Sequence, residues 1–329
     1  MSAEAVSARR VLRILVPLAV IALIAFTLRD VRWAALRQAV AAAHPGWIAL
    51  AAAVNLLVLG AQALRWLALV RPLSSAATPA LAFKALVIGF AASLVVPARA
   101  GDLARAHFMA EPGGVSRAAA LGTIVLDYVV NAAGLVAGLA LLPAVVAVPS
   151  WLRPGSWLAL ALFVAGVVVV FLLRPPAEAP PSARPARHGW RGLLDRARVG
   201  LTGLRDPRAL ALSFAASLVA WLLEVVVVAL ALWALDLHPS GGVVFLVLMA
   251  VNVALVFPFA PPGNAGTLEL GAMLPLLAVG VAKERALAFA LCYHLLQVVP
   301  IAVLGLLFAG SLARVRALAQ APVSVGVES

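Results

Sequence analysis

Two short polar interruptions in an almost wholly apolar chain hold most of the side chains that could do chemistry. The first runs Pro97-Ala-Arg99-Ala-Gly101-Asp102-Leu-Ala-Arg105, and the second Pro258-Phe-Ala-Pro261-Pro262-Gly263-Asn264-Ala-Gly266-Thr-Leu-Glu269. If Asp102 opens a helix, it can cap free amides while Arg99 and Arg105 face one cavity mouth. Gly101 would allow close approach, and the set suits an anionic lipid headgroup. In the second interruption the prolines and glycines delay regular helix until about Thr267, so Glu269 falls in a first turn, where the helix dipole favours an acid. Free amides near Gly266 can then hold a phosphate or carboxylate. The plainer alternative at both places is an ordinary turn with a capping or dipole-compensating acid.

Further polar groups stand inside apolar runs. Asp127 follows Arg117 by roughly 15 Å of helix, which puts it near mid-membrane, and Asn131 lies one turn later on the same face. An ionisable group at that depth is a functional candidate, with a structural inter-helix hydrogen bond as its rival. Glu224 is similarly central and is expected to bond another helix or to carry a proton. His294 and Gln297 form an i, i+3 pair beside Tyr293, with Pro300 freeing a carbonyl one turn back, a face able to relay a proton or hold a polar headgroup. Arg65 and Lys84 are expected to snorkel to the surface, and Asn55 and Asn252 to join helices. The chain shows no Walker loop, metal-binding His/Cys cluster, nucleophile elbow or dinucleotide fingerprint, so no metal, no cofactor and no direct ATP coupling is expected.

These residues need a membrane-embedded frame. At 64% hydrophobic residues and a mean hydropathy of +1.08, the repeated apolar runs match the roughly 20 residues that cross a hydrocarbon core. The fold class expected is an all-α polytopic membrane protein with about six to eight transmembrane helices and one or two re-entrant hairpins. Residues 1–329 form a single integral membrane domain, with a first half 1–173, a basic linker 174–208 and a second half 209–318. The net charge of +12 comes from arginines clustered beside apolar runs, the pattern of the positive-inside bias rather than of nucleic-acid binding. Cys292, the single cysteine, has no intramolecular disulfide partner.

The clearest spans are 11–28, 47–70, 118–142, 157–173, 209–235 and 286–310. Residues 30–43 read as an amphipathic helix on the membrane surface through Val31, Ala34, Ala35 and Gln38. Trp47, Trp66, Trp151, Trp157 and Trp233 sit where interfacial anchors belong. With the N-terminus and the 174–208 loop both cytoplasmic, the crossings between them must be even in number. Residues 79–117, which carry Lys84 and break at Pro97, are therefore a hairpin that dips in from the cytoplasm and returns. That topology leaves only Arg29, Arg32, Arg37, Arg153, Lys283 and Arg285 on the far side and makes the C-terminus cytoplasmic, in an inner membrane. Whether 242–282 spans fully or forms a second hairpin stays open. Leu94-Val95-Val96-Pro97 with Gly101 and Asp102 is echoed by Leu255-Val256-Phe257-Pro258 with Gly263 and Glu269, the signature of an inverted repeat entered from opposite faces.

Along nearly its whole length the chain resembles the flippase-like transmembrane family related to the membrane domain of lysylphosphatidylglycerol synthases. The resemblance rests on Arg65-Trp66, on Pro97 with Gly101-Asp102-Leu-Ala-Arg105, on Pro262-Gly263-Asn264-Ala-Gly266 followed by Glu269, and on His294 with Gly305 in the last span. Many members carry Glu-Arg-x-x-Asp where this chain has Asp127-Tyr128-Val-Val-Asn131. The resemblance implies handling of lipid-linked substrates without the soluble aminoacyltransferase domain of full synthases. The leading expectation is thus a flippase for an anionic phospholipid or polyprenyl-phosphate-linked lipid, with membrane lipids as partners and the question of enzymatic activity left open. Along its path lie Arg65, Pro97, Arg99, Gly101, Asp102, Arg105, Asp127, Asn131, Gly263, Asn264, Gly266, Glu269 and His294. The alternatives are a membrane-embedded headgroup transferase with a soluble enzyme partner docked on 174–208, and a non-catalytic scaffold.

Overall fold

The structure, a computed structural model, describes residues 31–95, 100–145, 150, 152–173, 195, 197–256, 261–308 and 310. The expected span 11–28, Pro97, Arg99, the proline-rich part of the 174–208 linker and the C-terminal residues lie outside them. All regular structure among the described residues is helical. The helices are α1 (Trp33–Ala41), α2 (Pro45–Val70), α3 (Pro79–Val95), α4 (Ala100–Ala110), α5 (Arg117–Val145), α6 (Leu152–Leu173), α7 (Pro207–Trp233), α8 (Gly241–Leu255), α9 (Thr267–Ala278) and α10 (Lys283–Leu307). A 3-10 turn, Gly200–Arg205, precedes α7.

Local chemistry explains the main boundaries. Pro45 and Pro207 stand at first helical positions, where a missing N–H costs nothing, and the Asp206 side chain caps α7 by accepting from the amides of Arg208 and Ala209 at 2.9 and 3.1 Å. The helices α2, α5, α7 and α10 are long and apolar enough to cross a membrane. By contrast α3 and α4 run for about 25 and 16 Å, and α8 and α9 for about 22 and 18 Å, all short of the ~30 Å core. The question left open for 242–282 is thereby answered, because α8 and α9 form a second helical hairpin.

Contacts at the helix ends give the direction of every element. At one end, Leu69 of α2, Leu126 of α5 and Leu201 of the 3-10 turn pack together, and Lys84 of α3 lies 5.8 Å from the Phe308 ring just after α10. At the other end, the His44 amide donates to the Ala234 carbonyl at 2.8 Å. There too Arg285 donates to the carbonyls of Leu235 and Asp236 at 2.7 and 3.0 Å, and Arg32 pairs with Glu284 at 2.8 Å. Arg71, Lys84, Arg205 and Arg208 thus gather at the first end, called here the basic end. The α3–α4 hairpin, flanked by α2 and α5, enters from that end; the α8–α9 hairpin, flanked by α7 and α10, enters from the opposite one. The order long, short, short, long occurs twice with opposite entry, as an inverted repeat requires.

Three surface expectations need correction. Helix α1 buries Leu36, with Val31 just before it and Ala39 partly covered, while Ala34 and Gln38 are exposed. Its inner face therefore packs on the bundle through a different stripe from the one expected. Trp66 is fully buried rather than interfacial, whereas Trp47 and Trp233 do sit together at the end opposite the basic one, edge to face at 5.6 Å. Residues 197–205 are not free linker, because Gly200 packs so closely on Ala119 and Gly122 of α5 that a Cβ there would overlap the Ala119 carbonyl.

Candidate functional site

The first polar cluster lies between α2, α4 and α5. Arg65, about 8 Å from the basic end of α2, donates from Nε to Asp127 Oδ1 at 2.7 Å and from Nη1 to Asn131 Oδ1 at 2.6 Å. Arg105 of α4 donates from Nη2 to Asp127 Oδ2 at 3.1 Å. All three charged groups are buried, so two guanidinium groups share one carboxylate and the three together carry a net positive charge. The Arg105 guanidinium also lies 3.9 Å from the centre of the Trp66 ring, whose Nε1 donates to Thr123 Oγ1 at 2.9 Å. Its own Nε has no partner among the described residues. Beside this group the Tyr128 hydroxyl donates to Asp102 Oδ1 at 2.7 Å, tying the first turn of α4 to α5.

Two expectations are overturned here. Arg65 does not snorkel: it turns inward because Asp127 and Asn131 present acceptors one helical turn apart on the facing helix. Arg105 is not at a cavity mouth, since α4 lies tight against α3 and carries it inside. Gly101 permits that closeness, for a Cβ at this position would overlap the Gly89 carbonyl oxygen and Ser93 Oγ.

The second cluster joins the hairpin tip to α10. Gly263 has φ of +65°, Asn264 of +59° and Gly266 of +81°, so the chain reverses through left-handed residues before α9 begins. Glu269 Oε2 accepts from the Gly266 amide at 2.7 Å, and Oε1 lies 2.5 Å from His294 Nδ1. Gly266 therefore does not offer a free amide to a phosphate, because the carboxylate three residues on already fills that place. His294, about 16 Å along α10, clips the tip to the last span.

Between the Leu94 end of α3 and the Gly263–Asn264 turn lies a cavity of about 250 Å³, lined also from α2, α7, α8, α9 and α10. Leu94 of the first hairpin approaches Gly263 of the second to the point where a Cβ at Gly263 would meet Leu94 Cδ2 at 3.9 Å. The polar side chains on the wall include Asn55, Gln62, Ser93, Glu224, Asn252 and Gln297. Glu224 accepts from the Tyr293 hydroxyl at 3.3 Å, which is the inter-helix bond expected of it, and Asn55 Nδ2 donates to the Leu296 carbonyl at 2.7 Å, joining α2 to α10. Asn252 instead bonds its own helix through the Leu248 carbonyl at 3.0 Å and faces the cavity rather than another helix. His294 and Gln297 part company: Gln297 lines the cavity, whereas His294 and Glu269 border a separate apolar groove of about 650 Å³ walled by Ile48, Ala52, Leu291 and Val299.

The family model described as the lysylphosphatidylglycerol synthase TM region matches residues 11–305, nearly the whole chain, across both hairpins and the four long spans found among the described residues. The chain belongs to the lysylphosphatidylglycerol synthase transmembrane region family. Membership together with the apolar helices makes it a multi-pass membrane protein connected with lipid metabolism or transport. No curated protein gives a significant match. Of the positions named from sequence in this family member, Arg65, Arg105, Asp127 and Asn131 come together in one cluster and Gly266, Glu269 and His294 in another. Gly263 and Asn264 border the cavity, while Pro97 and Arg99 fall outside the described residues. Gln62 and Ser93 were missed; the seven-residue spacing of Asn55 and Gln62, two turns on one helix face, was the available signal. Among the described residues no group of three or more His, Cys, Asp and Glu lies together.

Proposed function

We propose that the protein moves a phosphate-bearing lipid across the cytoplasmic membrane, its headgroup passing through the cavity between the hairpin tips while the tails stay in lipid. The observation that carries this reading is the meeting of Leu94 with the Gly263 turn at a polar-walled cavity, although the two hairpins enter from opposite ends. Breaks in helices are tolerated at membrane depth where they line such a space, and a polar lining lowers the cost of taking a headgroup through hydrocarbon. Arg65 stands one turn beyond Gln62, so the net positive cluster adjoins the basic-end side of the cavity, where it attracts the lipid phosphate through its field while Asp127 holds the guanidinium groups in place. In this reading the basic end and both termini are cytoplasmic.

Reconstitution into liposomes with tail-labelled phospholipids tests the proposal. Wild type should equalise label between leaflets, and Arg105→Ala and Gln62→Leu should slow it. Unchanged rates in both variants would remove these residues from the path. The competing transferase reading, with a soluble partner on 174–208, requires instead a new headgroup species in the recovered lipid.

A further inference from the structure

The hydrogen-bonding sense of the cavity wall is specific enough to name a headgroup chemistry. Asn55 and Asn252 each spend Nδ2 on a backbone carbonyl, Leu296 and Leu248 respectively, and a carbonyl only accepts, so the orientation of both amides is set. Ser93 likewise donates its hydroxyl hydrogen to the Gly89 carbonyl at 3.2 Å. What these residues leave for a ligand is mixed: two amide oxygens and the second N–H of each Asn, the lone pairs of Ser93 Oγ and the carboxylate of Glu224. Gln62, Gln297 and Asn264 add side-chain amides that can both donate and accept. No Lys, Arg or His stands among the described lining residues.

A phosphate brings only acceptors and negative charge to a wall that has no cation among its described lining residues and holds the Glu224 carboxylate. An ammonium donates but cannot use the amide hydrogens that Gln62, Gln297 and Asn264 supply. A hydroxyl does both. The cavity, about 250 Å³, has space for roughly eight waters at about 30 Å³ each, which is the size of one sugar or comparable polyol ring. Phe90 and Tyr293 on the wall supply flat apolar surfaces for its C–H faces.

We infer that the cavity is a polyol subsite, taking the hydroxyl-bearing part of a lipid headgroup while the phosphate remains toward Arg65 and Arg105. This inference rests on the transport reading for its physiological meaning, though binding can be tested without it.

Wild-type protein in phosphatidylcholine nanodiscs is heated with myo-inositol, inorganic phosphate or ethanolamine. Liposomes then compare tail-labelled phosphatidylinositol, phosphatidic acid and phosphatidylethanolamine. Inositol alone should raise the unfolding temperature, and phosphatidylinositol should move about tenfold faster than the other two, the equivalent of one good hydrogen bond. Asn252→Leu, checked for an unchanged gel-filtration profile, should erase both preferences, whereas Arg37→Gln, on the exposed side of α1 and away from the cavity, should leave them unchanged. Stabilisation by phosphate or ethanolamine instead of inositol, or an inositol effect that survives Asn252→Leu, would overturn the subsite. Inositol binding with no movement of any lipid would sink the transport reading and leave the subsite standing.

Discussion

Replacing Asp127 with Asn should be among the most damaging single changes available in the described chain. The wild-type carboxylate is 1% exposed and receives hydrogen bonds from both Arg65 and Arg105, themselves 5% and 2% exposed. The amide keeps the shape but removes the only negative charge shown against either guanidinium, leaving two like charges buried around a neutral group. Breaking one buried pair by deleting a partner typically costs about 3–5 kcal/mol, and here one deletion strands two cations, so the upper part of that range is expected. Arg65→Gln provides the internal comparison. It leaves the Arg105–Asp127 bond in place and balances the cluster at one charge of each sign, so it should cost markedly less. Equilibrium denaturation of purified protein in mixed micelles, followed by tryptophan fluorescence of the buried Trp66 environment, measures both. An Asp127→Asn protein within about 1 kcal/mol of wild type, or less damaged than Arg65→Gln, would refute the view that this carboxylate holds the first hairpin to α2 and α5.

Three further outcomes follow from the packing. Gly101→Val should separate α3 from α4, because even its Cβ overlaps the Gly89 carbonyl and Ser93; yield of monodisperse protein should fall sharply, while Gly46→Val, at a position with open space, should not change it. Thr123→Val strands the buried Trp66 N–H and should destabilise by about 1–3 kcal/mol in the same denaturation assay, with Thr123→Ser close to wild type. Gly263→Ala forces a side chain onto φ of +65° where space is available, so about 1–2 kcal/mol of backbone strain should appear in stability without a steric collapse of the cavity.

Much of the frame is legible in the residues themselves because hydrocarbon imposes a length rule. The runs expected at 47–70, 118–142, 209–235 and 286–310 match α2, α5, α7 and α10 to within a few residues, and Pro45, Pro207 and the Asp206 cap explain where the starts moved. The first hairpin followed from parity and from the position of Lys84, which does stay exposed near the basic end. Side-chain pairing was less legible for a physical reason. An arginine about one and a half turns from a helix end can reach water or turn inward at similar cost, and the choice at Arg65 is made by Asp127 and Asn131 on another helix. Gly266 and Glu269 show the reverse case: the spacing of an N-cap and the third helical position already contained the local bond that closes the amide to outside anions, had the carboxylate been weighed as its own ligand. The polar wall of the cavity is assembled from separate helices, with one-helix periodic traces of it at Asn55 and Gln62 of α2 and at Tyr293 and Gln297 of α10.

Proximity of the two hairpin tips is the claim on which the rest depends, and a thiol pair measures it directly. In a Cys292→Ser background, Leu94→Cys and Gly263→Cys would be introduced together and treated in native membranes with a short bis-thiol cross-linker after proteolytic nicking at an engineered site in the 174–208 linker. The account expects the two fragments to stay joined on a denaturing gel, with either single cysteine leaving them apart, because a Cβ at Gly263 would lie 3.9 Å from Leu94 Cδ2. Fragments that separate in the double variant, while both thiols remain reactive to a small maleimide, would show the hairpins standing apart and contradict it.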